Sequence, residues 1–231
     1  FLPVDPTLKN YRYVLFDTPF LVFFRNSAIV AAASTILVVV VATFGAYSLV
    51  RFNYGGRRLM AQMILFTYLL PSVVLLLPLY LILSQLGLVN SLFGLVIVYV
   101  TFGLPFCLWL LRSFIASIPA DLESAAMVDG ASRMRAFFDV ILPQAVPGII
   151  ATAIFKFILS WNEYLYALVL INDQDKLTLP PGVILMFTNT TNIDWSALMA
   201  ASTMMALPVL VGFSLLQKHL QKGFGAGAVK G

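Results

Sequence analysis

The sequence predicts an all-α, polytopic transmembrane helical bundle with five spans in a single domain, and three observations carry that prediction. Hydrophobic residues make up 61% of the 231 positions and charged residues only 10%, far below the roughly 25% charged of soluble domains. Mean hydropathy is +0.95. Several apolar runs reach the ~20 residues that a helix needs to cross ~30 Å of hydrocarbon.

Residues 1–24 place Pro3, Pro6 and Pro19 among Tyr11, Tyr13, Phe16, Phe20, Phe23 and Phe24. Aromatic rings with scattered charge suit a membrane–water boundary, and a short surface helix is predicted around Leu8–Leu15. The first span is predicted over Ser27–Val50, which reaches ~36 Å at 1.5 Å per residue. Within it Ala31, Thr35, Ala42 and Ala46 are small residues that let another helix approach closely. Arg51 to Arg58 is a tight basic turn. The second span, Leu59–Leu83, contains Pro71 and Pro78, and prolines inside a span predict kinks. Gln85–Asn90 is a short loop, followed by a third span over Ser91–Leu111 with Pro105 near its end. A fourth span is predicted from Val146 to Ile171, with Lys156 and Glu163 inside it. Residues 172–194 read as a polar loop holding Pro180-Pro181 and the uncharged run Thr188–Asn192. Ala197–Leu216 is the fifth span, with Pro208, and residues 217–231 form a Gly-rich tail.

Between the third and fourth spans lies the longest polar-bearing stretch, 119–143. Pro119 opens a helix where no N–H is needed, and Asp121 and Glu123 complement that helix's positive end. Leu122, Ala125 and Ala126 give it a short face of mainly small residues. Asp129-Gly130 is a turn signal in which glycine takes a positive φ. Ser132 can cap a second helix whose Met134, Phe137, Phe138 and Ile141 make an apolar stripe, and Pro143 is expected to close the unit. The prediction is helix, sharp turn, helix at the membrane surface.

Charge placement orients the bundle. Arg51, Arg57, Arg58, Arg112, Arg133, Arg135, Lys218, Lys222 and Lys230 fall in segments on one side of a five-span chain; only Lys9, Arg12, Arg25 and Lys176 fall on the other. The positive-inside rule then places 119–143 and the C-terminus in the cytoplasm and 1–24 and 172–194 outside. The net charge of +4 follows from this distribution and is no nucleic-acid signal. Cys107 is the only cysteine, so no internal disulfide can form. One histidine, His219, and no cysteine pair offer no metal site. No nucleophile–base pair converges in sequence, so no catalytic residue is expected.

The 119–143 stretch resembles the cytoplasmic EAA loop of ATP-binding-cassette importer permeases. That motif runs Glu-Ala-Ala, three residues, Gly, nine residues, Ile-x-Leu-Pro. Here Ser124-Ala125-Ala126, Gly130 and Val140-Ile141-Leu142-Pro143 fall at that spacing, with serine at the motif's glutamate and valine at its isoleucine. Asn26-Ser27, Ser160-Trp161-Asn162-Glu163 and the closing Gly-Ala-Val-Lys-Gly are also similar to the carbohydrate branch, the smaller permease subunit of the maltose type. The resemblance covers essentially the whole chain and implies a type I permease fold with six spans, so a sixth is expected upstream of Phe1. No basic n-region opens the chain, and no signal peptide is expected in it.

The resemblance implies several partners: a second, different permease in a heterodimer, two ATPase subunits, an extracytoplasmic solute-binding protein and membrane lipid. It assigns ATPase coupling to Glu123, Ser124, Ala125, Ala126, Asp129, Gly130, Leu142 and Pro143. Docking then rests on shape, with Glu123 as the substitute carboxylate, and the tail from Gly225 to Gly231 reaches toward the ATPases. The chain carries no Gly-x4-Gly-Lys-Ser/Thr phosphate loop. No cofactor is therefore expected on it, and ATP and Mg are expected on the partner ATPases. The expected location is the inner or plasma membrane of a bacterium or archaeon.

Trp161, Asn162 and Glu163 admit two readings. They line the translocation path or meet the binding protein, or else Trp161 anchors at the interface while Asn162 and Glu163 satisfy neighbouring helices. Lys156, nearly two turns from Glu163, is not expected to pair with it and would snorkel or pair across helices. An ion-coupled secondary transporter is the alternative function. It would usually show intramembrane acid or base relays and an internal repeat, and only Lys156 and Glu163 qualify.

Overall fold

The computed structural model describes residues 7–188 and 193–225, and every regular element among them is helical. Expectations placed on 189–192 and on the tail from 226 to 231 lie outside the described residues. The helices are α1 (Lys9–Phe16), α2 (Phe20–Arg51), α3 (Arg57–Tyr68), α4 (Leu76–Gln85), α5 (Leu92–Ser117) and α6 (Ala120–Val128). After them come α7 (Arg133–Ala136), α8 (Leu142–Trp161), α9 (Leu165–Leu170), α10 (Leu179–Thr188) and α11 (Trp195–Gly225). Four stretches are long and apolar enough to cross a membrane: Phe20–Arg51, Leu92–Ser117, Arg133–Trp161 and Trp195–Ser214. Arg57–Tyr68 and Ser72–Gln85 qualify together as a fifth, although they are bent by 92°.

Proline chemistry explains where the predicted spans hold and where they do not. The second span is not kinked but broken, between Leu69 and Pro71. Pro71 has no N–H and disfavours helical backbone at Leu70. The last N–H groups of the first limb tighten onto Phe66 and Thr67 at 3.0 and 3.3 Å, and the helix restarts from the Pro71 carbonyl. Pro78 sits in the first turn of α4, where its missing N–H costs nothing, and leaves no break. The 172–194 segment is a correction. It is not a polar loop throughout, because Leu179–Thr188 forms α10 with Leu179, Val183 and Phe187 buried. Pro180 and Pro181 fall in its first turn, so they open the helix instead of preventing it. The fourth span also ends earlier than predicted: α8 stops at Trp161 and α9 follows as a separate short helix. Pro143 does not close the preceding unit, since the helix runs on through it.

The chain divides into two compact units. The first comprises residues up to Ala33, Leu76–Val98 and Ile158–Gly212. Here Asn26, fully buried, donates from Nδ2 to the carbonyls of Asp175 and Leu177 at 2.8 and 2.9 Å. Ser27 accepts from the N–H of Leu179 at 2.7 Å and so satisfies the start of α10. Asn90, at φ 58°, accepts from the backbone N–H groups of Asn172 and Asp173 and donates to the Asp173 carboxylate. Hydrogen bonds from Lys176 and Asn90 hold that exposed carboxyl below its ordinary range. Gly182 brings α10 against α2 so closely that a Cβ there would meet the Phe23 ring at 2.5 Å.

The second unit comprises Ser34–Leu75, Tyr99–Phe157 and residues from Phe213 onward. Its core joins Val38, Ala42 and Ala46 of α2 to Cys107, Leu111 and Ile115 of α5 and to Phe137, Ile141 and Ala145. The small residues of α2 are buried, as close helix approach requires. Lys156 is only 2% exposed, with its ammonium 5.8 Å above the Tyr99 ring. Gly103 makes room for it, since a Cβ there would lie 2.1 Å from the lysine Cε. Lys156 therefore does not snorkel.

Candidate functional site

The 119–143 segment folds as helix, turn, helix, and each part has a local cause. Pro119 precedes α6 at φ −56°, and Asp121 and Glu123 occupy its first turn. The helix ends where Gly130 takes φ +92°. There the N–H of Ala131 reaches the Ala126 carbonyl at 3.0 Å and that of Gly130 reaches Met127 at 3.1 Å. This is the paired bond set of a left-handed helix stop, which glycine adopts without strain. Ser132 then caps α7 by accepting from the N–H of Arg135 at 3.3 Å. Between α7 and α8 the turn widens over Phe137–Ile141. Pro143 offers no N–H to the carbonyl of Asp139 and its ring crowds that group, which the widened turn relieves.

The segment is clamped to the C-terminal end of α2. Glu123 is 4% exposed, accepts from the Tyr47 hydroxyl at 2.6 Å and lies 3.2 Å from Nε of Arg51. Arg51 also donates from Nη2 to the carbonyl of Ile118 at 2.6 Å. Phe137, buried, packs its ring 4.6 Å from Tyr47 and 5.3 Å from Phe44, measured between centroids. Arg133 stacks 4.8 Å over the Phe52 ring. Of the predicted apolar stripe, Phe137 and Ile141 are buried while Met134 and Phe138 stay exposed.

The sequence-selected residues therefore separate into an inner and an outer set. Ser124, Ala125, Asp129 and Gly130 share the exposed outer surface, with Ala126 half-buried. Ser124 uses its hydroxyl on the Ala120 carbonyl at 3.2 Å. Glu123 points the other way, into the α2 clamp. Leu142 and Pro143 belong to the start of α8, half-buried and exposed respectively. Sequence reasoning missed Tyr47 and Arg51 as anchors, and it missed Val128, which at 87% exposed is the most prominent apolar side chain on the turn. A Tyr and an Arg four residues apart at the end of a span are one helical face, the only signal that could have found the clamp.

Trp161, Asn162 and Glu163 each have partners of their own. Trp161 is 1% exposed, donates from Nε1 to the Met205 carbonyl at 3.1 Å and meets Phe24 edge-on. Asn162 is exposed and donates to Ile158 of its own helix. Both carboxylate oxygens of Glu163 accept backbone N–H groups, from Tyr166 at 2.8 Å and Ala167 at 3.1 Å. Glu163 thus caps α9, which is why the helix restarts there. No group of three or more His, Cys, Asp or Glu able to hold a metal ion occurs among the described residues.

Comparison with known proteins gives a consistent result. The family described as "Binding-protein-dependent transport system inner membrane component" matches residues 41–225. The chain is 36% identical over 227 residues to the trehalose/maltose transport system permease protein MalG of Thermococcus litoralis, covering 97% of this chain and 82% of that one. It is 37% identical over 230 residues to the diacetylchitobiose uptake system permease protein NgcG of Streptomyces coelicolor, covering 99% and 76%. In structure it is similar to a chain from the crystal structure of a bacterial ABC transporter involved in the import of the acidic polysaccharide alginate. That similarity has a TM-score of 0.82 and 26% identity over 94% of this chain and 81% of the other.

Proposed function

Because the chain belongs to the family of binding-protein-dependent transport system inner membrane components, we propose that it forms half of the translocation path of a sugar importer. In this reading ATPase subunits drive it through the 119–143 segment. The observation that carries the reading is the two-sided build of that segment. Ser124, Ala125, Val128, Asp129 and Gly130 present a compact exposed surface, while Glu123 fixes its underside to α2 through Tyr47 and Arg51. A short helix held this way transmits a push or pull to α2 and α8 as a rigid lever. The small residues let an ATPase cleft approach closely.

The other half of the path is a second, different permease, and two ATPase subunits carry the ATP and Mg. A solute-binding protein delivers the carbohydrate from outside. The similarity to permeases named for trehalose/maltose and diacetylchitobiose supports a sugar as the solute. Membership of this family does not favour an ion-coupled secondary transporter. The charge pattern supports a cytoplasmic 119–143 segment. Arg51, Arg57, Arg58, Arg112, Arg133 and Arg135 all fall in the second unit, and Lys9, Arg12, Arg25 and Lys176 all fall in the first.

Gly130→Val tests the coupling role. A β-branched residue is a strained outlier at positive φ, so the angle between α6 and α7 changes without loss of any outward side chain. Expected in reconstituted vesicles is loss of ATP-driven sugar uptake with ATP hydrolysis that no longer responds to the binding protein. Normal uptake with normal coupling would overturn the assignment.

A further inference from the structure

We propose that the cleft between α3 and α5 holds one anionic phospholipid, its phosphate on Arg58 and Arg112 and an acyl chain along the apolar groove beyond them. At one end of the cleft two cavities, of about 190 and 220 Å³, share Arg58, Ala61 and Arg112. Neither arginine takes part in the ion pairs Arg51–Glu123, Arg135–Asp139 or Lys176–Asp173. Two guanidiniums lining one space without a carboxylate repel each other, and a phosphate between them matches their planar donor geometry.

The neighbouring space supplies the rest of a lipid. A groove of about 690 Å³ adjoins the first cavity through the shared Gln62, and its walls include Met63, Phe66, Val100, Leu104 and Leu108. From Arg112 to Val100 along α5 is ~18 Å at 1.5 Å per residue, close to the ~15 Å depth of half a hydrocarbon core. Charge at one end and apolar lining over the depth of one leaflet is the polarity profile of a phospholipid. A soluble anion has no use for the groove, and an apolar partner helix has no use for the arginines. Trp109, 43% exposed, lines the arginine end, where an indole suits the headgroup level. The assignment rests on the chain's placement in a membrane and is independent of which solute is carried.

The test is lipid retention by the complete importer, purified in mild detergent from nanodiscs of mixed phosphatidylglycerol and phosphatidylcholine and read by native mass spectrometry. The wild type is expected to retain phosphatidylglycerol over phosphatidylcholine. At about fivefold per arginine near an anionic surface, Arg58→Gln with Arg112→Gln lowers that retention about thirtyfold, and the corresponding Lys pair keeps most of it. Val100→Trp, which fills the groove without touching charge, lowers it as well, and Arg135→Gln leaves it unchanged. Equal retention of the two lipids overturns the proposal, as does wild-type retention in the Gln pair. Displacement of the bound species by inorganic phosphate with no effect of Val100→Trp would instead make the site one for a soluble anion. Absence of lipid with a second permease cross-linking into the cleft would make it a subunit interface.

Discussion

Removing the Glu123 carboxylate is the sharpest test of how the 119–143 segment is held. The side chain is almost fully buried and serves two partners at once, the Tyr47 hydroxyl at 2.6 Å and Arg51 at 3.2 Å. The Arg51 Nε–H lacks hydrogen-bond alignment, so that contact is an ion pair only. Deleting one member of a buried pair strands the other charge, which costs about 3–5 kcal/mol. Glu123→Ala carries that cost, whereas Tyr47→Phe loses one charge-assisted hydrogen bond worth about 1.5–3 kcal/mol. Because the hydroxyl has no carboxylate to meet in the alanine background, Tyr47→Phe adds little there, and the two substitutions are non-additive. The loss falls on α6, so hydrogen exchange of the 120–131 amides in the reconstituted complex is the assay. A 3 kcal/mol loss raises local opening about 150-fold. Unchanged exchange in Glu123→Ala would refute the clamp. If Glu123 instead touched an ATPase directly, Glu123→Ala would weaken ATPase binding at unchanged exchange, and Tyr47→Phe would do nothing.

Three further expectations follow from single positions. Gly182→Ala drives a Cβ to 2.5 Å from the Phe23 ring, an overpacking cost of about 1–3 kcal/mol read as a lower melting temperature in detergent; an unchanged melting temperature would mean that α10 is not packed as described. Gly130→Ala meets nothing within 4 Å, so its cost is backbone strain alone, about 1 kcal/mol, and appears as faster exchange at Asp129–Ala131 with little change in global melting. Asn53→Cys and Leu86→Cys, in a chain whose native Cys107 is buried, are expected to react with a membrane-impermeant maleimide from opposite sides, and labelling of both from one side would contradict five crossings.

The helical class and the helix, turn, helix of 119–143 were legible because their signals are local. Apolar run length, Pro119 at a helix start, Gly130 at a positive φ and Ser132 as a cap are each decided within a few residues. What could not be read depends on partners distant in sequence. Glu123 looked like an outward docking carboxylate until Tyr47 and Arg51, more than 70 positions upstream, proved to face it. Glu163 looked like an intramembrane charge within a long span, but the helix ends before it and its carboxylate caps the next one. Segment 172–194 read as a solvated loop because its polar residues and proline pair dominate the composition. Tertiary burial by Asn26, Ser27 and Phe23 turned Leu179–Thr188 into a packed helix.

Whether the bent pair crosses the membrane follows from parity. Arg51, the last residue of α2, donates to the Ile118 carbonyl just beyond α5 at 2.6 Å, so those two chain ends share one side. Between them the chain passes through Arg57–Tyr68, Ser72–Gln85 and α5. The 26 residues of α5 extend ~39 Å and cross once, so returning to the starting side requires one more crossing, and only the bent pair is available to make it. Each limb alone, at 12 and 14 residues, reaches only ~18–21 Å and falls short of the ~30 Å core. A re-entrant loop would leave Arg51 and Ile118 on opposite faces, some 30 Å apart, which the 2.6 Å hydrogen bond excludes. The pair is therefore expected to cross as one broken span, which the labelling of Asn53→Cys and Leu86→Cys checks. Irregular backbone at membrane depth persists only where protein covers it or water reaches it. The backbone groups freed at the Leu69–Pro71 break are accordingly expected to meet protein or water.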